Sequence, residues 1–392
     1  MLSPLGYHRA VLAYVRRVDE RAWTALRGGP VGGVGDVLLR NAYRLEEAAH
    51  PAVHQAGRRA AEALGMDAEL EFYQVHGQAN ACYVHQAGTA VVVFEGSLLE
   101  KLDQDELTAV MGHELAHRLL WDAEDGAYLA VDRLLDAAAG DARTPQQYLE
   151  THRRWGLATE LYADRGALTA CGDLSTTLRA LLKLETGLST ADPDAYLRQA
   201  DELDLSSGSR GTTHPEGVAR AWALKNWLAG EDVESLITGP VDIDAPDLLD
   251  AVLLRDLSSE FAASIAHTDG LRTDAVATFA AGFSDAPVVP VLKVPRFDEP
   301  LPVRPVDGAP LPRPRQLVEA TKRYLCYLLL DLATADPDTG DAGLVASMVI
   351  ARRAGLTAYD DLADDELGWS DKRRAKLADA ANEVLSERAS NG

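Results

Sequence analysis

Residues 110 to 122 read VMGHELAHRLLWD, and no other stretch limits the fold as strongly. Asp103 followed by Glu106 is a capping-box start, and Leu107, Val110, Met111, Leu115 and Leu119 then make one apolar stripe, so the segment is a helix with one buried face. On it His113 and His117 lie one turn apart on a common face, with Glu114 beside them. Three such fixed positions arise by chance in roughly one chain in a hundred of this length, so the pentapeptide alone decides little. A catalytic zinc takes three protein ligands and keeps one position for water, and two imidazoles fall short of that. If the histidines work, the fold must bring a third His, Glu or Asp against this helix.

The helix itself does not provide it. A His-x-x-Gly-x-x-His continuation would need Gly and His where Leu120 and Ala123 stand. A second helix is announced by Thr144-Pro145-Gln146-Gln147, with Thr as N-cap and Pro at the first helical position, and runs through ELYADRGAL to about Ala170. It carries Glu160, with Asp164 one turn later on the same face, where a carboxylate can accept from a ligand histidine and fix its tautomer. Taken alone, Glu160 reads as a solvated helix residue. Residues 213–220, THPEGVAR, then place His214 at a helix N-cap, Pro215 at the first position and Arg220 about one and a half turns on.

The ordered set Asn80-Ala81, HELAH (113–117), ELYADR (160–165) and THPEGVAR (213–220) resembles the HtpX-like and CAAX-prenyl-endopeptidase-like zinc metallopeptidases, of the gluzincin type, over about residues 65–230. The resemblance implies that His113, His117 and Glu160 hold one zinc ion and that Glu114 is general base and acid. It implies that Asp164 is the carboxylate behind a ligand histidine. His214 and Arg220 match residues that stabilise the oxyanion and organise the site, and Asn80 and Ala81 match the cleft strand that holds an extended peptide. Two departures stand out: Glu216 replaces the second proline common in that motif, and the chain has no run of about 18 apolar residues, whereas many relatives are membrane-embedded.

The remaining chain sorts by pattern. Residues 6–26 and 36–64 read as amphipathic helices. ELEFYQVH (69–76), ACYVHQ (81–86) and TAVVVFEG (89–96) read as strands of a small meander. Further helices are expected over 173–188 and 215–228, joined by an exposed loop, 189–213. Nine of the 18 prolines fall between 287 and 314, which makes that stretch extended, and 315–388 returns to helical spacing. His50 and His54 form a local surface pair in HPAVH, His76 and His85 are half-buried strand histidines, and DPDTGD (336–341) is an interhelical turn lacking the calcium-loop glutamate.

A formal charge of -23 disfavours nucleic acid and anionic lipid as partners. Cys82, Cys171 and Cys326 are too scattered for a disulfide framework or a thiolate zinc knuckle, and Met1–Arg27 lacks the apolar core of a signal peptide, so a cytoplasmic protein is expected. The expectation is an α+β, mainly helical zincin-like metallopeptidase domain over 1–235, a helical connector over 236–286, a Pro-rich extended segment over 287–314 and a small helical module over 315–392. The Pro-rich arm reads first as a plain linker, and as the alternative it restrains the cleft by lying across it. The function expected is zinc-dependent hydrolysis of peptide or protein substrates, with no nucleic-acid partner and no membrane insertion. A silent zinc-stabilised module that binds peptides is the alternative, and the sequence leaves the oligomeric state open.

Overall fold

The computed structural model describes residues 2–18, 23, 35–86, 88–283, 294–301 and 315–390. Its described residues divide into two compact units, one within 1–239, the other within 240–301 and 315–390. Of the Pro-rich stretch, 287–293 and 302–314 lie outside the described residues, and with them the choice between linker and restraint. The fold is α+β and mainly helical, as the patterning implies. No described helix is long and apolar enough to cross a membrane.

In the first unit the elements run α1 (Gly6–Val18), α2 (Gly35–Asn41), β1 (Tyr43–Arg44), α3 (Pro51–Leu64), β2 (Glu69–Val75), β3 (Asn80–His85) and β4 (Thr89–Glu95). Then follow α4 (Leu98–Lys101), α5 (Gln104–Ala139), α6 (Gln146–Cys171), α7 (Leu174–Thr186), α8 (Pro193–Asp201), α9 (Gly217–Leu228) and α10 (Ser235–Thr238). The helix expected over 36–64 is broken, because Pro51 starts a new helix and Tyr43–Arg44 pair antiparallel with β2. The expected exposed loop over 189–213 contains α8, whose start is written in Asp192 and Pro193: the Asp192 carboxylate accepts from the N–H groups of Asp194 and Ala195.

The three strands do not form a meander. With β1 they make a four-stranded sheet in the order β1-β2-β4-β3, with β2 parallel and β3 antiparallel to β4. The physical reason lies in β4, where Ala90, Val91, Val92, Val93 and Phe94 are all buried. A strand apolar on both faces needs cover on both and takes the centre, which leaves β3 at the edge.

Helices α5 and α6 form the backbone of the unit. The capping box of α5 is complete, Asp103 accepting from Asp105 and Glu106 and Glu106 accepting from Asp103. Beyond the histidines α5 is broken at Ala123–Gly126, where Glu124 and Asp125 adopt φ of 50° and 57°. Thr144 does not cap α6, since its hydroxyl donates to the Ala138 carbonyl and holds the preceding turn instead. Helix α1 is pinned at its start by Glu234, which accepts from the N–H groups of Gly6 and Tyr7 at 2.7 and 2.8 Å, and by buried His8, edge-on to Trp155.

On α5 the Asp132 carboxylate accepts from Trp155 Nε1 at 3.0 Å. Burial, reinforced by Asp136 and opposed by the Trp155 hydrogen bond, His152 and Arg133, pushes its pKa up to about 6. The folded chain therefore binds a proton here more tightly than the unfolded one, and stability falls as pH rises from roughly 4 to 6. Asp132→Asn keeps an acceptor for Trp155 and removes that loss. Its advantage in thermal unfolding is expected to grow across that window, to the order of 2 kcal/mol, and to stay constant above it.

The second unit is helical: α11 (Leu248–Ala266), α12 (Asp274–Ala281), α13 (Glu319–Thr334), α14 (Gly340–Ala354), α15 (Tyr359–Leu367) and α16 (Asp371–Ser390). Phe261 and Phe297 meet edge-on in its core, and Asp250 at the start of α11 is paired with Arg315. Residues of the expected connector, including Leu254, Phe261, Ile265 and Val276, thus belong to the same core as Leu325, Leu329 and Met348. Asp336 caps a short 3-10 turn and Asp341 pairs with Arg373 and Lys376, so DPDTGD is a turn between helices.

Candidate active site

Two glycines decide how closely the two central helices approach. A Cβ at Gly112 would lie 2.7 Å from the Gly166 carbonyl oxygen, and a Cβ at Gly166 would lie 2.7 Å from that of Gly112. The pair stands next to His113 on α5 and two residues after Asp164 on α6, so the backbone contact sets the register of one functional segment on the other. Each glycine has a small residue four positions on, Ala116 and Ala170, in contact with the opposite glycine. That matched spacing of small residues is the signal that could have announced the contact. Gly166→Ala is expected to cost about 2 kcal/mol of stability, measured by thermal unfolding, because backbone must move to admit the methyl.

The contact brings Glu160 between the histidines. Its Oε2 lies 3.4 Å from His113 Nε2, and its Oε1 3.8 Å from His117 Nε2 and 3.5 Å from His214 Nε2. One ligand atom from each of His113, His117 and Glu160 falls within a 4.8 Å group. Donors bound to one zinc at about 2.0–2.1 Å stand roughly 3.4 Å apart, so inward shifts of a few tenths of an ångström to about an ångström suffice. Glu160 Oε2 is buried without a hydrogen-bond partner, a costly condition for a carboxylate that a cation relieves. Two imidazoles and one carboxylate match a borderline-soft divalent ion, and the residues present fit zinc.

Behind the cluster, Asp164 Oδ1 lies 3.1 Å from His113 Nδ1, and Arg220 binds the same carboxylate through Nε at 2.8 Å and Nη2 at 2.6 Å. Asp164 is buried, and although burial alone would raise its pKa, Arg220 and His113 hold it below the usual carboxylate range. It therefore stays charged and accepts a hydrogen bond from His113 Nδ1, which turns Nε2 toward Glu160. In the metal-free cluster burial lowers the His113 pKa, but Asp164 and Glu160 outweigh it and bring it to about 10. Burial takes His117 down to about 4. His117 is held differently, its ring stacked on Trp121 at 5.5 Å.

These residues face a cavity of about 430 Å³. The edge strand β3, with Asn80 and Ala81, runs along one side, and Val110, Ala180, Leu181 and Leu184 give an apolar wall on another. Glu114 lies in the cavity as well, only 6% exposed, and burial raises its pKa. His214 is at the rim with its side chain largely exposed. All nine candidate residues thus line the cavity except Asp164, which stands behind His113.

The turn carrying His214 differs from its sequence reading. Helix α9 begins at Gly217, so His214 precedes the N-cap position, which Glu216 holds without capping. The Glu216 carboxylate instead accepts from Ser209 Oγ at 2.6 Å and Arg210 N at 2.9 Å, and Arg153 donates to the carbonyls of Ser209 and Gly211. These hydrogen bonds fix the turn before α9. The other histidines stay apart from the cavity lining: His54 bonds the Leu45 carbonyl, and His85 faces Tyr83 and Trp121.

Residues 47–228 match the model of peptidase family M48. The plastoglobule-localized metallopeptidase 48, chloroplastic, of Arabidopsis thaliana is 31% identical over 169 residues, covering 37% of this chain and 47% of that protein. The chain thus spans about half the length of the curated relative it matches. No solved structure matches.

Proposed function

We propose that the protein, whose residues 47–228 match the model of peptidase family M48, is a soluble zinc endopeptidase with its active site in the α5–α6 cavity. The observation that carries this reading is Glu114: a buried carboxylate beside a three-donor cluster is superfluous for metal binding and necessary for hydrolysis. His113, His117 and Glu160 would hold the ion, and a zinc held there would supply a Lewis acid for the scissile carbonyl and lower the pKa of a water toward 7.

The protein's own groups do the rest. An extended peptide adds to the free edge of β3 near Asn80 and Ala81, where main-chain hydrogen bonds orient the scissile bond. Glu114 takes a proton from the attacking water and returns it to the leaving amine nitrogen; its burial raises its pKa, the direction that suits a group which must both accept and return a proton. His214 donates to the carbonyl oxygen as charge grows there, a contribution on the order of 3 kcal/mol. Arg220 acts through Asp164 and His113, since its guanidinium is spent on that carboxylate. The three free cysteines suit a reducing compartment such as the cytoplasm.

Elemental analysis for zinc together with cleavage of an unstructured protein tests the proposal. A zinc-loaded chain that cleaves nothing is a peptide-binding module and not an enzyme.

A further inference from the structure

Glu185, in the last turn of α7, has no part in the site described so far, yet its carboxylate lines the cavity. Its Oε2 accepts from Tyr196 Oη at 3.1 Å and its Oε1 lies 3.7 Å from Arg220 Nη1. A Cβ at Gly217, the first residue of α9, would overlap this carboxylate, so the group is seated directly against the start of that helix. A helix start has unpaired N–H groups and the positive end of the macrodipole. Helix α9 receives no cap from its own N-cap residue, because Glu216 is committed to Ser209 and Arg210.

The geometry points to Glu185 as a positioning residue that anchors the first turn of α9 from α7 and so holds His214 at Glu160. His214 and Arg220 stand three residues before and three after Gly217, and anchoring that residue constrains both. Arg220 keeps its two-pronged bond to Asp164 without help. His214 has no comparable restraint: it is exposed, and its Nδ1 bonds only its neighbour Thr213. Loss of Glu185 should therefore loosen the turn and displace His214 before it disturbs the ligand cluster. The anchor is a matter of geometry, whereas its effect on turnover rests on the peptidase reading.

The test measures hydrogen exchange and peptide hydrolysis on the zinc-loaded full chain for Glu185→Ala and Glu185→Gln. Glu185→Ala is expected to speed amide exchange across 209–220 about tenfold and leave 104–122 unchanged, with Glu185→Gln, which keeps an acceptor for Tyr196, showing a smaller change. Its kcat should fall about tenfold with KM held within about twofold, and in a His214→Ala background the same substitution should cost less than about twofold. Unchanged exchange over 209–220 overturns the anchor, as does a full kcat loss that persists without His214. Faster exchange in a protein that hydrolyses nothing upholds the anchor and removes the peptidase reading instead. If Glu185→Ala does not fold, Gly217→Ala displaces the same carboxylate, and unchanged exchange there counts equally against the anchor.

Discussion

Glu114→Gln is expected to lower turnover of an unstructured protein substrate at least roughly 100-fold while zinc content stays that of the wild type. Gln is isosteric and neutral, so the buried cavity keeps its shape and none of the three donor atoms is touched. What disappears is the group that takes a proton from water and gives it to the leaving amine. Because burial raises the pKa of Glu114 in the first place, removing its charge should stabilise the fold or leave it unchanged. A variant as active as the wild type, with zinc bound in both, would sink the proposed mechanism; an inactive wild type would leave the binding module.

Glu160→Gln should act earlier, at the ion itself. Glu160 is the one anionic donor in the cluster, and Arg220 and His113 hold its carboxyl ionised against the cost of burial. We expect zinc affinity to fall at least about 100-fold, turnover to fall with it, and the zinc-dependent rise in thermal stability to vanish at concentrations that saturate the wild type. Competition with a chromogenic chelator gives the affinity. Asp164→Asn, which leaves all three donors and disturbs the orientation of His113 and the pairing with Arg220, should cost less, about 10- to 100-fold in affinity. Equal zinc affinity in Glu160→Gln and wild type would mean that the ion is held elsewhere.

Much of the site was legible before any coordinates. The two histidines and Glu114 follow from a helix period of 3.6, and the box at Asp103 and Glu106 places that helix to the residue. Glu160 and Asp164 were legible as one face of a second helix. Less legible was what joins the two faces. Gly112 and Gly166 look like ordinary helix-weakening residues until the other helix is present, and only then does each appear as the space for a backbone. Glu185 is illegible for the same reason, since a seat against Gly217 is a contact between distant parts of the chain, whereas Trp121, four residues after His117 on α5, stacks on it within one helix face.

The strands show the limit from the other side. Their positions were readable from β-branched runs, but their order was not, because a run of five or six residues states how many of its faces are apolar and not which neighbour covers them. The buried face on both sides of β4 put it in the centre and broke the expected meander. The sequence by itself therefore determined the mainly helical character, the cap at Asp103 and Glu106 and the kinds of side chain that α5 and α6 can offer to an ion, whereas Thr144 and His214 do not take the N-cap places expected of them. Only the tertiary structure decided that Glu160 stands between His113 and His117, that Arg220 is spent on Asp164, and that Glu216 closes the turn a proline would otherwise stiffen. Local periodicity is a property of neighbours in sequence, whereas close approach depends on which residues, far apart along the chain, are small enough to touch.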